Sequence, residues 1–224
     1  MTLASRLAAV DERIADAARA AGRDAAGITR IVVTKFHPAS IVRELYALGV
    51  RDVGENRGQE LIAKRQELAE LEGLRWNFIG QLQSKKARAV RAAADAVHSL
   101  DREKLVSVLD APGEDPLDVL VQVNLTADPG RGGVAPAGIE ALAERIEASD
   151  TLRLRGIMAV APLGEEPAAA FARLAGYAER VRAVSPGASW VSAGMSHDFA
   201  EAIMHGATHL RIGSAITGPR PQQV

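Results

Sequence analysis

The sequence predicts an α/β protein built as a single (β/α)₈ TIM barrel, one domain over residues 1–224, with an extra helix at the N-terminus. Short apolar runs typical of buried strands alternate with longer helical patterns. Eight candidate strands can be counted, the number that closes a barrel, and crossover helices between them require parallel pairing. An open doubly wound sheet is the alternative. We favour the barrel because no Gly-rich dinucleotide turn follows the first strand.

The elements follow one another in a regular order. An amphipathic helix opens the chain at residues 3–21. Gly49 and Gly206 supply helix stop signals, and Pro136 and Pro167 stand where a first helical turn begins. The candidate strands are residues 31–36, 52–55, 76–79, 96–99, 119–124, 154–160, 190–193 and 208–212. The candidate helices between them are residues 39–48, 57–71, 84–94, 102–109, 136–148, 166–184 and 197–205.

Composition excludes several classes of function. The net charge is −1, so no overall field attracts nucleic acid or an anionic membrane. There is no cysteine, which excludes disulfides, thiolate metal sites and cysteine nucleophiles, and the five histidines lack metal-ligand spacing. No apolar run approaches the ~20 residues that span a bilayer, and the N-terminus lacks the apolar core of a signal peptide. We therefore expect a cytoplasmic protein with no metal, nucleic-acid or membrane partner.

Lys35 is the first candidate for chemistry. Side chains alternate along a strand, so Ile31, Val33 and Lys35 share one face. Reactive groups of a (β/α)₈ barrel lie at the C-terminal ends of its strands, and on an inward face Lys35 lies at the top of the packed interior. Desolvation there lowers the pKa of an amine and favours the neutral form that a Schiff base requires. The alternative is a lysine that reaches out to solvent.

Two turns suited to phosphate follow the seventh and eighth predicted strands. Residues 192–198 lead from a strand into a helix and offer backbone N–H groups and the hydroxyls of Ser192 and Ser196. A plain helix cap by Ser196 is the alternative. Gly213 and Ser214 follow the eighth strand, where glycine permits close approach of a ligand. Loops after strands seven and eight form the recurrent phosphate site of this fold, so the two turns together predict one phosphate site.

Three more side chains lie at predicted strand ends. Arg211 shares a face with His209, and a permanently protonated guanidinium that faces a pyridine nitrogen keeps this nitrogen unprotonated. Carbanion chemistry on such a ring is restrained. An ion pair between Arg211 and Glu55 is the alternative. Asn56 follows the second strand and can contact a ring from one side, whereas Met158 ends the sixth strand and packs against an aromatic ligand or in the core.

At these positions the chain resembles the pyridoxal-phosphate homeostasis protein family, whose single domain is similar to the N-terminal barrel of alanine racemase. The resemblance extends over about residues 28–218, and its ordered motifs are far more specific together than any one alone. The motifs are VTK at 33–35 with Pro38, GEN at 54–56, FIG at 78–80, LQS at 82–84, HSLD at 98–101, RGIM at 155–158, SAGMSHD at 192–198 and RIG at 211–213.

The resemblance implies a cofactor, pyridoxal 5′-phosphate, held as a Schiff base on Lys35. It implies a role in homeostasis of this cofactor, which the protein binds, buffers and delivers to apo-enzymes. Arg211 is expected near the pyridine nitrogen, with Asn56 beside the ring. The phosphate is assigned to four residues, Ser192, Ser196, Gly213 and Ser214.

Four positions depart from the family pattern. Asn77 stands where His is usual before FIG, and Lys85 stands where Asn is usual. Family roles around the third strand therefore do not carry over to Asn77 and Lys85. Ser214 replaces a common Thr and keeps the hydroxyl, and Thr217 replaces a common Phe.

A carrier and an enzyme both fit this set of residues. Racemisation through a planar carbanion needs a proton donor or acceptor on each face of the substrate. Lys35 serves one face, but alanine racemases take the second base from a Tyr of a partner's C-terminal domain, which we do not expect here. Tyr46 and Tyr177 fall in predicted outer helices. We therefore favour a monomeric carrier over an amino-acid racemase. A Schiff-base aldolase for a phosphorylated sugar is a third possibility, although such enzymes tend to carry the lysine on a later strand.

Overall fold

The computed structural model describes residues 1–128 and 130–220 and contains a closed barrel of eight parallel strands. Neighbouring strands pair in chain order, and the last strand closes on the first with Ile31 opposite Arg211. The predicted fold class is therefore confirmed. The strands are β1 (Thr29–Val33), β2 (Asp52–Glu55), β3 (Arg75–Phe78), β4 (Ala96–Leu100), β5 (Leu117–Gln122), β6 (Leu152–Met158), β7 (Trp190–Ser192) and β8 (His209–Ile212).

Helices surround the barrel, and seven of them connect successive strands. The described helices are α1 (Leu3–Ala20), α2 (Ala39–Ala47), α3 (Gly58–Glu67), α4 (Ala87–Arg91), α5 (Glu103–Leu109), α6 (Ile139–Glu147), α7 (Pro167–Val184), α8 (Phe199–Met204) and α9 (Ser214–Thr217). Short 3₁₀ turns occupy Ala25–Gly27, Ser84–Lys86 and Pro136–Gly138. In the part of the chain that is described, no helix combines the length and apolarity needed to cross a membrane.

The predicted N-terminal helix is confirmed as α1, which packs against α8 and α9. Its buried face is formed by apolar side chains three or four residues apart, including Leu7, Val10 and Ile14. Burial of each such side chain contributes roughly 1.5–3 kcal/mol. Arg6 extends from this helix and donates from Nε to the carbonyl of Ile216 at 2.6 Å. The helix therefore covers the region where the barrel closes.

Several element boundaries differ from those expected. The first strand was expected at residues 31–36 but begins at Thr29 and ends at Val33, because the chain then enters a turn in which His37 N–H donates to the Thr34 carbonyl at 3.1 Å. The fifth and sixth strands begin and end two residues earlier than expected. Their first residues include Asp118 and Arg153, whose charges argue against a buried strand in the sequence. In the structure the two side chains pair with each other at 2.9 Å.

Gly156 lies where β6 passes β7, and no other residue fits there. Its φ is 152°, and a Cβ on this residue would lie 1.8 Å from the backbone oxygen of Trp190. Since that oxygen belongs to the paired strand, the clash cannot be relieved by rotation of a side chain. The barrel wall between β6 and β7 therefore requires glycine.

We predict that Gly156→Ala lowers the free energy of unfolding by about 2 kcal/mol or more, because β7 must move away from β6. Gly176→Ala is the matched control: Gly176 lies in α7 with nothing within 4 Å of an added Cβ. The control is expected to gain about 0.5–1 kcal/mol from helix propensity. Urea unfolding monitored by circular dichroism measures both changes, and equal effects of the two substitutions would contradict the prediction.

Candidate functional site

Lys35 lies at the C-terminal end of the barrel, next to the turn that follows β8. It is two residues beyond Val33, and a Cβ on Gly213 would lie 3.5 Å from the Cβ of Val33. Gly213 in turn precedes α9, which begins at Ser214. The structure therefore brings the predicted lysine and one predicted phosphate turn together. Lys35 is half-buried in a turn rather than packed in the barrel interior as expected, because the strand ends before it.

The residue before Lys35 is fixed by a buried ion pair. Thr34 donates from Oγ1 to Glu55 Oε1 at 2.6 Å, and Lys64 donates from Nζ to the Thr34 carbonyl at 2.8 Å. Lys64 and Glu55 are themselves 2.5 Å apart. Burial raises the pKa of Glu55, and the ammonium of Lys64 partly offsets this effect. The suggested ion pair between Glu55 and Arg211 is therefore wrong, since Lys64 takes this carboxylate.

The residue after Lys35 has a strained backbone. Phe36 adopts φ 67°, in the left-handed region that bulky residues rarely enter, which costs of order 1–3 kcal/mol. Glu60 on α3 accepts from the Phe36 N–H through Oε2 at 2.9 Å. The Phe36 ring is flanked by the guanidinium groups of Arg57 at 4.9 Å and Arg220 at 4.0 Å. Hydrogen bonds on both sides of Lys35 thus set the direction in which its side chain leaves the turn.

The turn after β7 is hydrogen-bonded to the backbone of β8. Arg211 N–H donates to the Gly194 carbonyl at 2.9 Å, which places the segment that contains Ser196 beside the segment that contains Gly213. Gly194 has φ 87°, and a Cβ there would lie 2.7 Å from the Cβ of Ala202. This close approach explains why glycine occupies the bend between β7 and α8. Both predicted phosphate turns therefore lie at one end of the barrel, near Lys35.

Ser196 does not cap a helix, contrary to the alternative interpretation. The helix expected at residues 197–205 begins at Phe199, and Asp198 is the residue in front of it. The carboxylate of Asp198 instead accepts from Met195 N–H through Oδ1 at 2.6 Å and forms a turn of its own. Ser196 is half-buried at the tip of this turn.

Ser192 and Arg211 face the inside of the barrel, and both are buried. Arg211 donates from Nη1 to Ser192 Oγ at 2.8 Å and from Nη2 to the Ala159 carbonyl at 2.9 Å. Burial lowers the pKa of Arg211 to about 10, so the guanidinium remains protonated at neutral pH. Unlike Ser196 and Ser214, Ser192 presents its hydroxyl to protein groups. Its expected contact with phosphate stays a prediction.

Asn56 and Met158 complete the predicted set. Asn56 follows β2, and among the described residues its buried Oδ1 has no hydrogen-bond partner. An unpaired buried acceptor costs about 1–3 kcal/mol, so a donor from a ligand at this position would be stabilising. Met158 is the last residue of β6, buried and in register with Ser192. Its side chain is thus part of the barrel interior next to the β7 end.

Sequence reasoning missed the polar residues of α3. Leu61, Lys64 and Leu68 follow helical spacing, and all three are buried. A lysine at a core position of an amphipathic helix indicates a buried partner of opposite charge. Here the partner is Glu55. Glu60, four residues before Lys64, lies on the same side of the helix.

A second layer of polar groups lies deeper in the barrel. The His209 ring packs on Trp190 with ring centroids 4.2 Å apart, and Thr208 Oγ1 lies 2.8 Å from its Nδ1. Burial lowers the pKa of His209 to about 4, with a smaller contribution from the positive charges of Arg75 and Arg155. The imidazole is therefore neutral in the folded protein at physiological pH.

Comparison with known proteins first defines the class. Residues 6–221 match the family model described as alanine racemase, N-terminal domain, so the chain belongs to this family. The structure of alanine racemase from Corynebacterium glutamicum superposes with a TM-score of 0.69 over 94% of this chain and 60% of that one. At 14% identity this likeness shows the fold alone.

Full-length relatives then define the group within that class. The chain is 43% identical to the pyridoxal phosphate homeostasis protein of Pseudomonas aeruginosa over 222 residues, 98% of this chain and 96% of the relative. PipY of Synechococcus elongatus, whose structure has been solved with PLP bound, superposes with a TM-score of 0.85 at 34% identity, over 97% of this chain and all of that one. The chain thus belongs among the pyridoxal phosphate homeostasis proteins, and the resemblance inferred from its motifs is confirmed.

We predict that His209 makes the protein less stable in acid. Its pKa is lower in the folded protein (about 4) than in the unfolded chain (6.5), so its contribution is present above pH 6.5 and is lost as the pH falls towards 4. The loss amounts to about 3 kcal/mol. His209→Gln lacks this titration. The difference in unfolding free energy between wild type and His209→Gln, measured in urea from pH 7 to pH 4, should shrink by that amount; a constant difference would refute the assignment.

Proposed function

We propose that this protein binds pyridoxal 5′-phosphate through Lys35 and serves the homeostasis of this cofactor, as a carrier that buffers it. The observation that carries the proposal is the position of Lys35: it follows β1, and β1 pairs with β8, so the lysine lies beside Gly213 and Ser214. A reactive amine and two phosphate-suited turns thus lie at one end of one barrel. The structure solved with PLP bound in PipY supports the same cofactor here.

The residues present fit the chemistry of this cofactor. When bound, it supplies an aldehyde carbon to which Lys35 Nζ bonds with loss of one water molecule. The hydroxyls of Ser196 and Ser214 and the backbone N–H groups of their turns are donors suited to its phosphate. Asn56 offers a buried acceptor that lacks a partner among the described residues. We therefore assign Ser196, Gly213 and Ser214 to the phosphate, and Asn56 and Met158 to the sides of the ring.

Arg211 argues for storage of the cofactor. Its guanidinium is protonated, fully buried and held by two hydrogen bonds, and we place it opposite the pyridine nitrogen. A fixed positive charge there opposes protonation of the ring nitrogen, and an unprotonated ring withdraws electrons weakly. Chemistry that passes through a carbanion would therefore be slow.

The positions of the two tyrosines count against a racemase. Tyr46 lies on α2 and donates from its hydroxyl to the carbonyl of Glu72 at 2.8 Å. Tyr177 lies on α7 beside Arg180. Neither outer helix places a phenol at the end of the barrel where Lys35 lies, so neither tyrosine provides a second base on the opposite face of a substrate. We further propose that the protein acts as a monomer in the cytoplasm and passes the cofactor to apo-enzymes.

We predict that purified protein incubated with pyridoxal phosphate becomes yellow and that Lys35→Ala abolishes the visible absorbance. Reduction with borohydride followed by peptide mass analysis should place the added mass on Lys35 alone. Lys85→Ala is the matched control, because Lys85 is exposed in the turn before α4 and should leave the spectrum unchanged.

Three results would overturn this proposal. If wild-type protein stays colourless, the proposed cofactor is wrong. If a label persists at one other lysine in Lys35→Ala, the assignment of the Schiff base to Lys35 is wrong. Rapid turnover of any amino acid in racemase or transaminase assays of the loaded protein would replace the carrier with an enzyme.

We also predict that Ser196→Ala and Ser214→Ala each speed the loss of the cofactor during dialysis, by about 5- to 10-fold per hydroxyl removed, because each deletes a hydrogen bond to a charged group. The visible spectrum should persist, since Lys35 is intact. Ser149→Ala is a control, because the Ser149 hydroxyl donates to the carbonyl of Ile146 at the end of α6. Unchanged retention in the Ser196→Ala/Ser214→Ala double variant would refute the phosphate assignment.

A further inference from the structure

A continuous line of buried polar groups runs through the barrel to Arg211. Asn77 on β3 contacts His98 on β4, with Asn77 Oδ1 3.2 Å from His98 Nε2. His98 Nδ1 lies 2.9 Å from Ser192 Oγ on β7, and Ser192 Oγ accepts from Arg211 Nη1 at 2.8 Å. All four side chains are buried. The line therefore connects four strands across the interior, and it ends on the side chain assigned to the pyridine nitrogen.

The protons along this line have one consistent arrangement. Asn77 Nδ2 lies 3.3 Å from Asp52 Oδ1 and 3.2 Å from the Val53 carbonyl, and both partners are acceptors. The amide nitrogen therefore faces these groups, and the amide oxygen faces His98. His98 must then carry its proton on Nε2, which leaves Nδ1 as an acceptor for the Ser192 hydroxyl.

Ser192 is oriented as a result. Its proton points to His98 Nδ1, so its lone pairs are free to accept from Arg211 Nη1. Nη2 of the same guanidinium is held by the Ala159 carbonyl. Two acceptors on two different elements thus hold the two terminal nitrogens and prevent rotation of the guanidinium plane.

We propose that His98 is a positioning residue that, through Ser192, fixes the guanidinium of Arg211, and that Asn77 fixes the tautomer of His98. The role of Arg211 opposite the cofactor rests on the proposed function; the fixation of its side chain does not.

The electrostatics of the site agree with a neutral His98. Burial is the main cause that holds the pKa of His98 well below its ordinary value, and the positive charges of Arg211 and Arg75 and the neighbouring His209 add to it. A protonated ring would donate from Nδ1 to Ser192, and the Ser192 proton would then have no acceptor among the described groups. Neutral His98 is thus the form that leaves every donor of the line paired.

This role accounts for Asn77, which departs from the family pattern. The carboxamide of Asn77 separates its donor from its acceptor, so the neighbouring acceptors alone decide which atom faces His98.

The fixation can be measured in the protein without cofactor. In a freely rotating guanidinium the two terminal nitrogens exchange and give one averaged ¹⁵N NMR signal, whereas two anchored nitrogens give two. We expect two Nη signals for Arg211 in wild type, assigned by their loss in Arg211→Lys. In His98→Leu we expect exchange between them to be faster by about tenfold or more, since the Ser192 hydroxyl loses its acceptor. A single averaged signal in wild type would overturn the inference.

His209→Leu is the matched control. It removes the other imidazole of the barrel interior, whose ring centroid lies 6.3 Å from that of His98, but leaves the contacts of Ser192 in place. Exchange in His209→Leu should match wild type. Ser192→Ala removes the acceptor of Arg211 itself and should speed exchange at least as much as His98→Leu. Adding His98→Leu to Ser192→Ala should change little further, because His98 acts through Ser192. Equal effects of His98→Leu and His209→Leu would indicate a general loss of packing and refute a positioning role.

Two further measurements keep the test decisive. If His98→Leu does not fold, the imidazole ¹⁵N shifts of wild type still report the tautomer, and a proton on Nδ1 of His98 would contradict the inference. After incubation with pyridoxal phosphate, His98→Leu should change the visible spectrum and speed cofactor loss by several-fold relative to His209→Leu. Identical spectra and rates in the two variants would show that His98 does not influence the cofactor site. Failure of wild type to bind the cofactor would instead refute the proposed function and leave the NMR result intact.

Discussion

Pairing of β8 with β1 is the interaction on which the candidate site depends. The two strands lie far apart in the sequence, and their register places Ile31 opposite Arg211. As a consequence, the turn with Lys35 emerges beside the turn with Gly213 and Ser214. Parallel strands all end at the same side of a barrel. Closure of the barrel therefore brings Lys35, from the first strand, close to Ser214, which follows the last strand. α1 covers this closure from outside through the contact of Arg6 with α9, so the additional helix supports the geometry of the site.

Buried polar groups beneath the C-terminal end of the barrel hold the candidate site in place. Around Lys35 the restraint is ionic: Lys64 and Glu55 fix Thr34, and Glu60 fixes Phe36. A buried ion pair adds little to stability, but loss of one partner leaves an unpaired buried charge and is costly. Its value here is therefore geometric, since it prevents the strained turn from relaxing and turning Lys35 away.

The barrel and the candidate residues at its strand ends could be predicted from the sequence, because both depend on local rules. Period-two runs and intervening helices specify the barrel, and the rule that chemistry follows strand ends selects Lys35 and Ser196. Contacts between distant elements could not be predicted in the same way. Nothing near Ser192 indicates that its hydroxyl turns inward to His98, and the left-handed backbone of Phe36 is set by a carboxylate on α3. The first residues of β5 and β6 were not predicted as strand, because charged residues stand there. In the structure, an ion pair with Arg153 accompanies the burial of Asp118.

The two parts of the site point to one role when their energetics are considered together. The hydrogen bonds of Phe36 and Thr34 hold the backbone on both sides of Lys35, so bond formation at this amine would not have to order the turn. Ser192 and the Ala159 carbonyl hold the Arg211 guanidinium in one orientation. In the role proposed for it opposite the pyridine ring, this fixed charge would disfavour carbanion chemistry. Both effects come from pre-organised protein groups and need no substrate. The proposed carrier role follows from this combination, since such a site would hold a reactive cofactor without consuming amino acids. Release would then require exchange with an incoming amine or a conformational opening.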